Sequence, residues 1–453
     1  EAFTVAGRQV GFGFGASSLL ASWIWASSIM MPAQAGYQHG LAGPLYYAFG
    51  GALMLAIFAP FVKRVRELTP NGHTIPEYAG ARLGPGARRV MVAISLFYAL
   101  FALYINLSAI GYLVSSFSTL PYEAGVFITA AVVLAYSLIG GLRSTILTDT
   151  VQWLAITVAG VVLAPLIIQR FGGPAQLATT LPALGDKGNL FSASAFLKMG
   201  LPWCIMGFFS GFSHQSLWQR AWAIRPDCLR KAYLLAGAGW FPYALAFGTL
   251  GVIALAADIS SPVGNGSDIA PVVAAHFLSG GEALLFVLLV LAAACSTCDG
   301  SLCGCAAIVM TDLAPASLRK AGAKAERLLA LGRWSMIAAM GLSAFLALWK
   351  VSLLQLLFLA GCLKSGLVIP LLASMYWDRV EGKGFCYGVL VGGAASIGVT
   401  LYLKNSGITP YFDLFGLLIG VGVSALFCVA MAWANPSRFD FATLTRTVKR
   451  FGT

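Results

Sequence analysis

Three charged residues interrupt long apolar stretches of the chain: Asp149, Asp299 and Lys364. A carboxylate or ammonium in such a setting is expensive, so each is expected to face a polar cavity or a partner. Asp299 and Lys364 could pair with each other, or Lys364 could anchor an anionic part of a solute. Cys295, Cys298, Cys303 and Cys305 lie close enough in sequence to resemble a metal cluster. On a helix, at about 100° per residue, they spread over different faces, which favours buried reduced thiols over a metal site. No nucleophile elbow, Walker loop or HExxH pattern is present, and no sizeable soluble segment could house a reaction. The chemistry on offer is binding and translocation, not catalysis, and no catalytic residue is assigned.

The elements that hold these residues must be membrane helices. Of 453 residues, 58% are hydrophobic and 10% charged, with mean hydropathy +0.81. One soluble core could not hide that much apolar surface, whereas lipid accepts it in runs of about 20 residues. About twelve candidate spans follow, near 10–38, 41–62, 90–117, 122–141, 144–169, 191–218, 232–256, 280–312, 328–349, 352–377, 384–403 and 411–434. Placing residue 1 and the C-terminus in the cytoplasm puts most of the 29 Lys and Arg residues on that side. Arg170, Lys187, Lys198, Lys350 and Lys404 fall outside, and Lys364 mid-span. This is the positive-inside pattern, so the net charge of +12 is topological and leaves no basic groove for nucleic acid. The basic, aromatic tail 436–453 is expected to rest on the cytoplasmic leaflet.

Two spans are interrupted by small residues. One begins Gly11-Phe12-Gly13-Phe14-Gly15 and reads as a discontinuous helix; the other carries Gly200-Leu201-Pro202 and Gly207 to Gly211. They open successive sets of five spans, so the two sets enter the membrane in opposite senses. Paired broken segments of this kind point to an inverted-repeat transporter with its site near the midplane. The blander reading is helix packing through glycine.

The stretch Ile139-Gly140-Gly141-Leu142-Arg143-Ser144-Thr145-Ile146-Leu147-Thr148-Asp149-Thr150-Val151-Gln152 resembles the signature of the sodium/solute symporter family. Ala6-Gly7-Arg8 resembles the cytoplasmic link that follows an extra first helix in that family. That helix is absent before it, and residue 1 is not Met, so a trimmed chain is expected. Ser22-Trp23-Ile24-Trp25-Ala26, Gly40 to Tyr47, Pro70 to Thr74 and Gln215 to Gln219 with Arg225-Pro226 resemble the urea active-transporter branch. His214, where that branch carries an acid, and the Thr148-Asp149 pair depart from it. The resemblance implies an all-α polytopic membrane protein of the leucine-transporter fold, with an inverted repeat of five plus five helices and extra peripheral helices. Its parts would be a first repeat over 1–170, an external loop 171–190, a second repeat over 191–378, two peripheral helices over 379–435 and the tail.

The resemblance also implies a sodium site built from the carbonyls of Ala21, Ile24 and Ala293 with the hydroxyls of Ser296 and Thr297. Asp149 would be an acid on a second cation or proton path. Asp299, where some members carry a hydroxyl, stays open among a modified sodium site, a protonatable pair and a salt bridge to Lys364. The substrate cavity is expected between the two breaks, with Trp25, Ser27 and Ser28 from the first and Phe208, Ser210, Ser213, His214 and Gln215 from the second. Such groups suit a small polar solute, and His214 could also couple protons. The function implied is sodium-coupled import of a small polar solute, with urea the leading substrate, in a plasma membrane such as a bacterial inner membrane. A proton-coupled or sodium-coupled carrier of a carboxylate or amino acid is the alternative, and a channel or transport-domain sensor the rival from another class.

Overall fold

The computed structural model describes residues 2–319, 325–435 and 438–449. Residue 1 and tail residues 436, 437 and 450–453, placed in the cytoplasm above, lie outside the described residues, as do residues 320–324. Among the described residues the architecture is all helical, with one isolated bridge between Val10 and Ile224. The first apolar run forms α1 (Phe12–Trp23) and α2 (Ser27–His39), which meet at a 50° bend. Then come α3 (Ala42–Leu68), the short α4 (Ile75–Leu83), α5 (Pro85–Phe117) and α6 (Tyr122–Arg170). The second half holds α7 (Leu201–Ser213), α8 (Gln215–Ala223), α9 (Pro226–Ala256), α10 (Gly280–Ile308) and α11 (Ala325–Ala347). It ends with α12 (Leu353–Tyr376), α13 (Gly382–Ser406) and α14 (Phe412–Ala434).

Eleven helical stretches are long and apolar enough to cross a membrane, and the bent α1–α2 pair brings the number to 12, as expected. α6 contains two of them, Tyr122–Ile139 and Gly141–Arg170. Gly141 is the joint: its φ of 60° is open to glycine at little cost, and a Cβ there would lie 2.4 Å from the Phe3 ring. Peripheral faces are apolar and bare, with Val151 71% and Leu426 67% exposed, which is what contact with acyl chains requires.

The inner helices carry no amphipathic stripe because they are buried on nearly every side. From Gly15 to Trp23 every residue of α1 is buried. α2 lies against α9 so closely that a Cβ at Gly251 would stand 1.8 Å from the Ala33 carbonyl oxygen. α10 packs on α5, α6 and α11, whereas α12 packs on α7, α13 and α14.

α4 lies between spans. Thr74 caps it by accepting from Glu77 N at 3.1 Å, and Glu77 reaches back to accept from His73 N at 2.9 Å. The tail departs from the expectation of a segment resting on lipid. Residues 438–449 fold back onto α4, with the Arg82 guanidinium 4.3 Å from the centre of the Phe439 ring and Leu444 fully buried. Aromatic and aliphatic groups in the tail find a protein surface there, so lipid is not their only apolar partner.

Candidate functional site

Neither glycine nor proline makes the first break; side-chain competition does. Trp25 N, which in a continuous helix would donate to Ala21 O, donates to Ser28 Oγ at 2.9 Å. Ser28 N donates to Trp25 O at 2.9 Å in place of Ile24 O. Ala26 N is held by Asn106 Oδ1 from α5 at 2.8 Å. The carbonyls of Ala21 and Ile24 thereby lose their usual amide donors, and both residues are buried. α10 packs against α1, and its Ala293, Ser296 and Thr297 are buried too. Thr297 Oγ1 has no hydrogen-bond partner, and Ser296 Oγ donates to Asp149 Oδ1. Released carbonyls with an unpartnered hydroxyl are hard oxygen donors suited to a small cation.

Asp149 lies deeper in polar contacts than its sequence suggested. Its Oδ2 accepts from Arg220 Nη2 at 2.7 Å, from Ser18 Oγ at 2.5 Å and from Ser22 Oγ at 3.4 Å. Both side chains of the ion pair are 0% exposed. The positive-inside count puts Arg220 among the cytoplasmic-side cations; the structure buries it in the core, because a buried carboxylate requires a cation. Asp299 neighbours this pair and accepts from Tyr136 Oη at 3.3 Å, while its Oδ1 has no partner.

Lys364 is not beside Asp299, and the expected pair is absent. Its Nζ donates to Ser210 Oγ at 2.8 Å and lies 4.5 Å from the centre of the Tyr98 ring. The reason is placement: α12 belongs to the α7 side of the molecule and α10 to the α5–α6 side. Ser210 and Tyr98 help line a cavity of about 30 Å³ walled by Trp23, Trp25, Tyr47, Trp203 and Trp240, with Ser28 at its edge. A water needs about 10–15 Å³ by this measure, so the space takes a solute of a few heavy atoms. A larger hollow of about 510 Å³ opens at the far end of α2, around His39, Lys198, Lys404 and Asp413. We favour the smaller one because it lies at the first break itself, lined by Trp23, Trp25 and Ser28.

The chain matches the Sodium:solute symporter family over residues 3–392. It belongs to that family. It is 26% identical to "Probable urea active transporter 1" of Schizosaccharomyces pombe over 99% of this chain and 73% of that protein. To "Urea-proton symporter DUR3" of Oryza sativa it is 24% identical, over 98% of this chain and 67% of that one. Its fold matches a Na+-coupled sialic acid symporter solved in a substrate-bound outward-open state, at TM-score 0.76 and 18% identity over 96% of this chain and 92% of that one. The architecture is therefore the leucine-transporter fold, and this family member is a membrane symporter, not an enzyme.

The symporter's second break falls at His214, between α7 and α8. Its ring packs 4.9 Å from that of Tyr98 and near those of Trp23 and Trp25, so it backs the aromatic cage. Ser27 Oγ is buried without a partner. Three residues expected in the cavity lie elsewhere. Gln215 spends its amide on the chain before α4, donating to His73 O and accepting from Ile75 N, both at 3.1 Å. Ser213 bonds back to Ser210 O at 3.2 Å, and Phe208 packs among Phe61, Phe209 and Phe212. Asn106, Tyr98 and Arg220 escaped the sequence reading. An asparagine inside an apolar span and an arginine one helical turn after Ser216 were the available signals.

Proposed function

We propose that this symporter imports urea, or a neutral solute of the same size, driven by sodium and working by alternating access. The observation that carries the reading is the cavity of about 30 Å³ walled by aromatic rings between the two breaks, with Ser210 and Lys364 supplying polarity at one side. Urea has four heavy atoms, a flat face for the rings and a carbonyl that can accept a hydrogen bond. The names of the two relatives support urea as the substrate, although one of them is a urea-proton symporter. Sodium would bind to the carbonyls of Ala21, Ile24 and Ala293 with the hydroxyls of Ser296 and Thr297.

In this reading residues 1–170 and 191–378 form the two repeats, both chain ends face the cytoplasm and the membrane is a bacterial inner membrane. The cytoplasmic side is closed. Val10 N donates to Ala223 O at 3.1 Å, Gln215 ties α8 to the chain before α4, and Arg88 Nε holds Asp312 at 2.7 Å. Opening requires these contacts to part while sodium leaves.

Proteoliposomes loaded by an inward sodium gradient should concentrate labelled urea, and clamping the sodium gradient to zero should stop it. Failure to concentrate urea under sodium or proton gradients would sink the substrate. A second reading rests on Lys364, whose ammonium touches no carboxylate among the described residues and could serve a small carboxylate substrate. Competition of urea uptake by acetate but not by acetamide would favour it.

A further inference from the structure

Arg220 sits where oxygen donors from several elements converge. Its Nη2 meets Asp149 Oδ2 of α6 at 2.7 Å, and its Nε donates to Ser18 Oγ of α1 at 2.8 Å. Its Nη1 donates to Ser216 O of α8 at 3.0 Å and also to Ser216 Oγ. Ser22 of α1 donates to the same carboxylate oxygen, Oδ2, and Ser296 of α10 to the other, Oδ1. A carboxylate, a carbonyl and several hydroxyls, all buried, make up the ligand chemistry of a hard cation. A guanidinium fills the place of that cation, and Gly300 leaves room for it. A Cβ there would stand 3.0 Å from Ser216 Oγ and 3.5 Å from Arg220 Nη2.

We infer that Arg220 is a tethered cation occupying a second ion position, so that Asp149 is neutralised throughout the cycle without binding an exchangeable ion. A sodium at such a position would leave with each turnover and add to the stoichiometry. A guanidinium on α8 cannot leave. It keeps its charge under all physiological conditions, and its fork fixes the geometry of four oxygen atoms at once. The ion pair also joins both broken spans, through Ser18 on α1 and through α8 itself, to the second span of α6. Cation binding at the first break is then the single exchangeable ionic event. The inference rests on the symporter reading but not on urea.

The test is sodium binding to purified protein without substrate, followed by thermal stabilisation across a sodium titration. Arg220→Ala vacates the position, leaves Asp149 with its hydroxyls, and should add a second sodium-dependent stabilisation to the one the parent owes to the first break. That gain should persist in Arg220→Ala with Thr297→Ala, which weakens the site at the first break, and vanish in Arg220→Ala with Asp149→Asn. Arg220→Lys should behave as the parent. If Arg220→Ala is too unstable to purify in the absence of sodium, extracting it in sodium and then removing the ion, beside Arg220→Ala with Asp149→Asn treated the same way, supplies the same comparison. A sodium-dependent stabilisation of Arg220→Ala no larger than the parent's would overturn the inference. So would a parent that binds two sodium ions and loses one on Asp149→Asn, because the ion would then share the site with Arg220. A parent that shows no sodium effect, with Arg220→Ala still gaining one through Asp149, would defeat the sodium site at the first break and uphold the tethered cation.

Discussion

At the scale of single residues, what distinguishes the candidate ligands is whether their polar atoms are already spent. Thr297 Oγ1 is buried and free of partners, whereas Ser296 Oγ is engaged by Asp149. Thr297→Ala is therefore the cleaner probe of sodium. A hydrogen-bond-type interaction with a charge is worth about 1.5–3 kcal/mol, so the apparent sodium affinity should fall by about tenfold or more, while folding persists. A sodium titration of urea uptake reads this directly. The separation of Asp299 from Lys364 gives a second prediction. They share no partner, so the stability changes of Asp299→Asn and Lys364→Met should add to within about 0.5 kcal/mol in the double variant. Urea denaturation would compete with the substrate, so guanidinium chloride or heat is the better perturbant. Recovery of the loss in the double variant would show that the charges do interact.

At the scale of elements, the first break depends on another helix. Asn106 on α5 supplies the acceptor for Ala26 N and fixes its own amide by donating to Ala102 O at 2.7 Å. Asn106→Ala would strand a buried backbone donor, at a cost of about 1–3 kcal/mol. The easiest relief is for the break to shift and the freed carbonyls to regain amides, so sodium affinity should drop although no ligand is changed. Asn106→Asp, which keeps an acceptor, should retain most of the affinity. Equal sodium affinity in Asn106→Ala and the parent would mean that Ser28 alone holds the break open. Ser28 closes the break from within α2 through its bond to Trp25 N, and Pro32 lies further along α2, away from the bend.

At the scale of the whole molecule, the tail ties the last span to α4. Phe439 N donates to Asp378 O at 3.0 Å, and Phe439 and Phe441 both stack on the Arg82 guanidinium. Arg82 meanwhile donates to Ser374 O, Trp377 O and Val380 O at the end of α12. Removing residues 438–453 exposes this cluster to water. Hydrogen exchange of the α4 amides should quicken, because local stability follows the apolar contacts around a segment. Unchanged protection of residues 75–83 in the truncated protein would show that Arg82 and the α12 carbonyls suffice.

The number of spans and the family were legible in the sequence, because they depend on local composition and motif; the discontinuity of the first span was read from its small residues, whereas Ser28 and Asn106 make the break. Twenty apolar residues need lipid wherever they fold, and hydropathy records that without reference to neighbours. The signature around Gly141 to Gln152 and the small residues of the first span carried the family. The resemblance also singled out Ala21, Ile24 and Thr297, and the broken helix leaves the first two carbonyls without their usual amide donors. Tertiary structure alone decided who meets whom among the charges. Arg220 looked like a loop cation because positive-inside counting treats every arginine near a span end alike. Its burial follows from α8 folding back toward Asp149, a contact 71 residues apart in sequence that no local pattern encodes. Lys364 and Asp299 looked like partners for the converse reason: both are buried charges, and the sequence does not say on which side of the molecule each helix packs. Gln215 belonged by position to the second break, yet its amide found the unsatisfied backbone before α4. Partner choice in a low-dielectric interior is set by which polar groups the packing brings within about 3 Å.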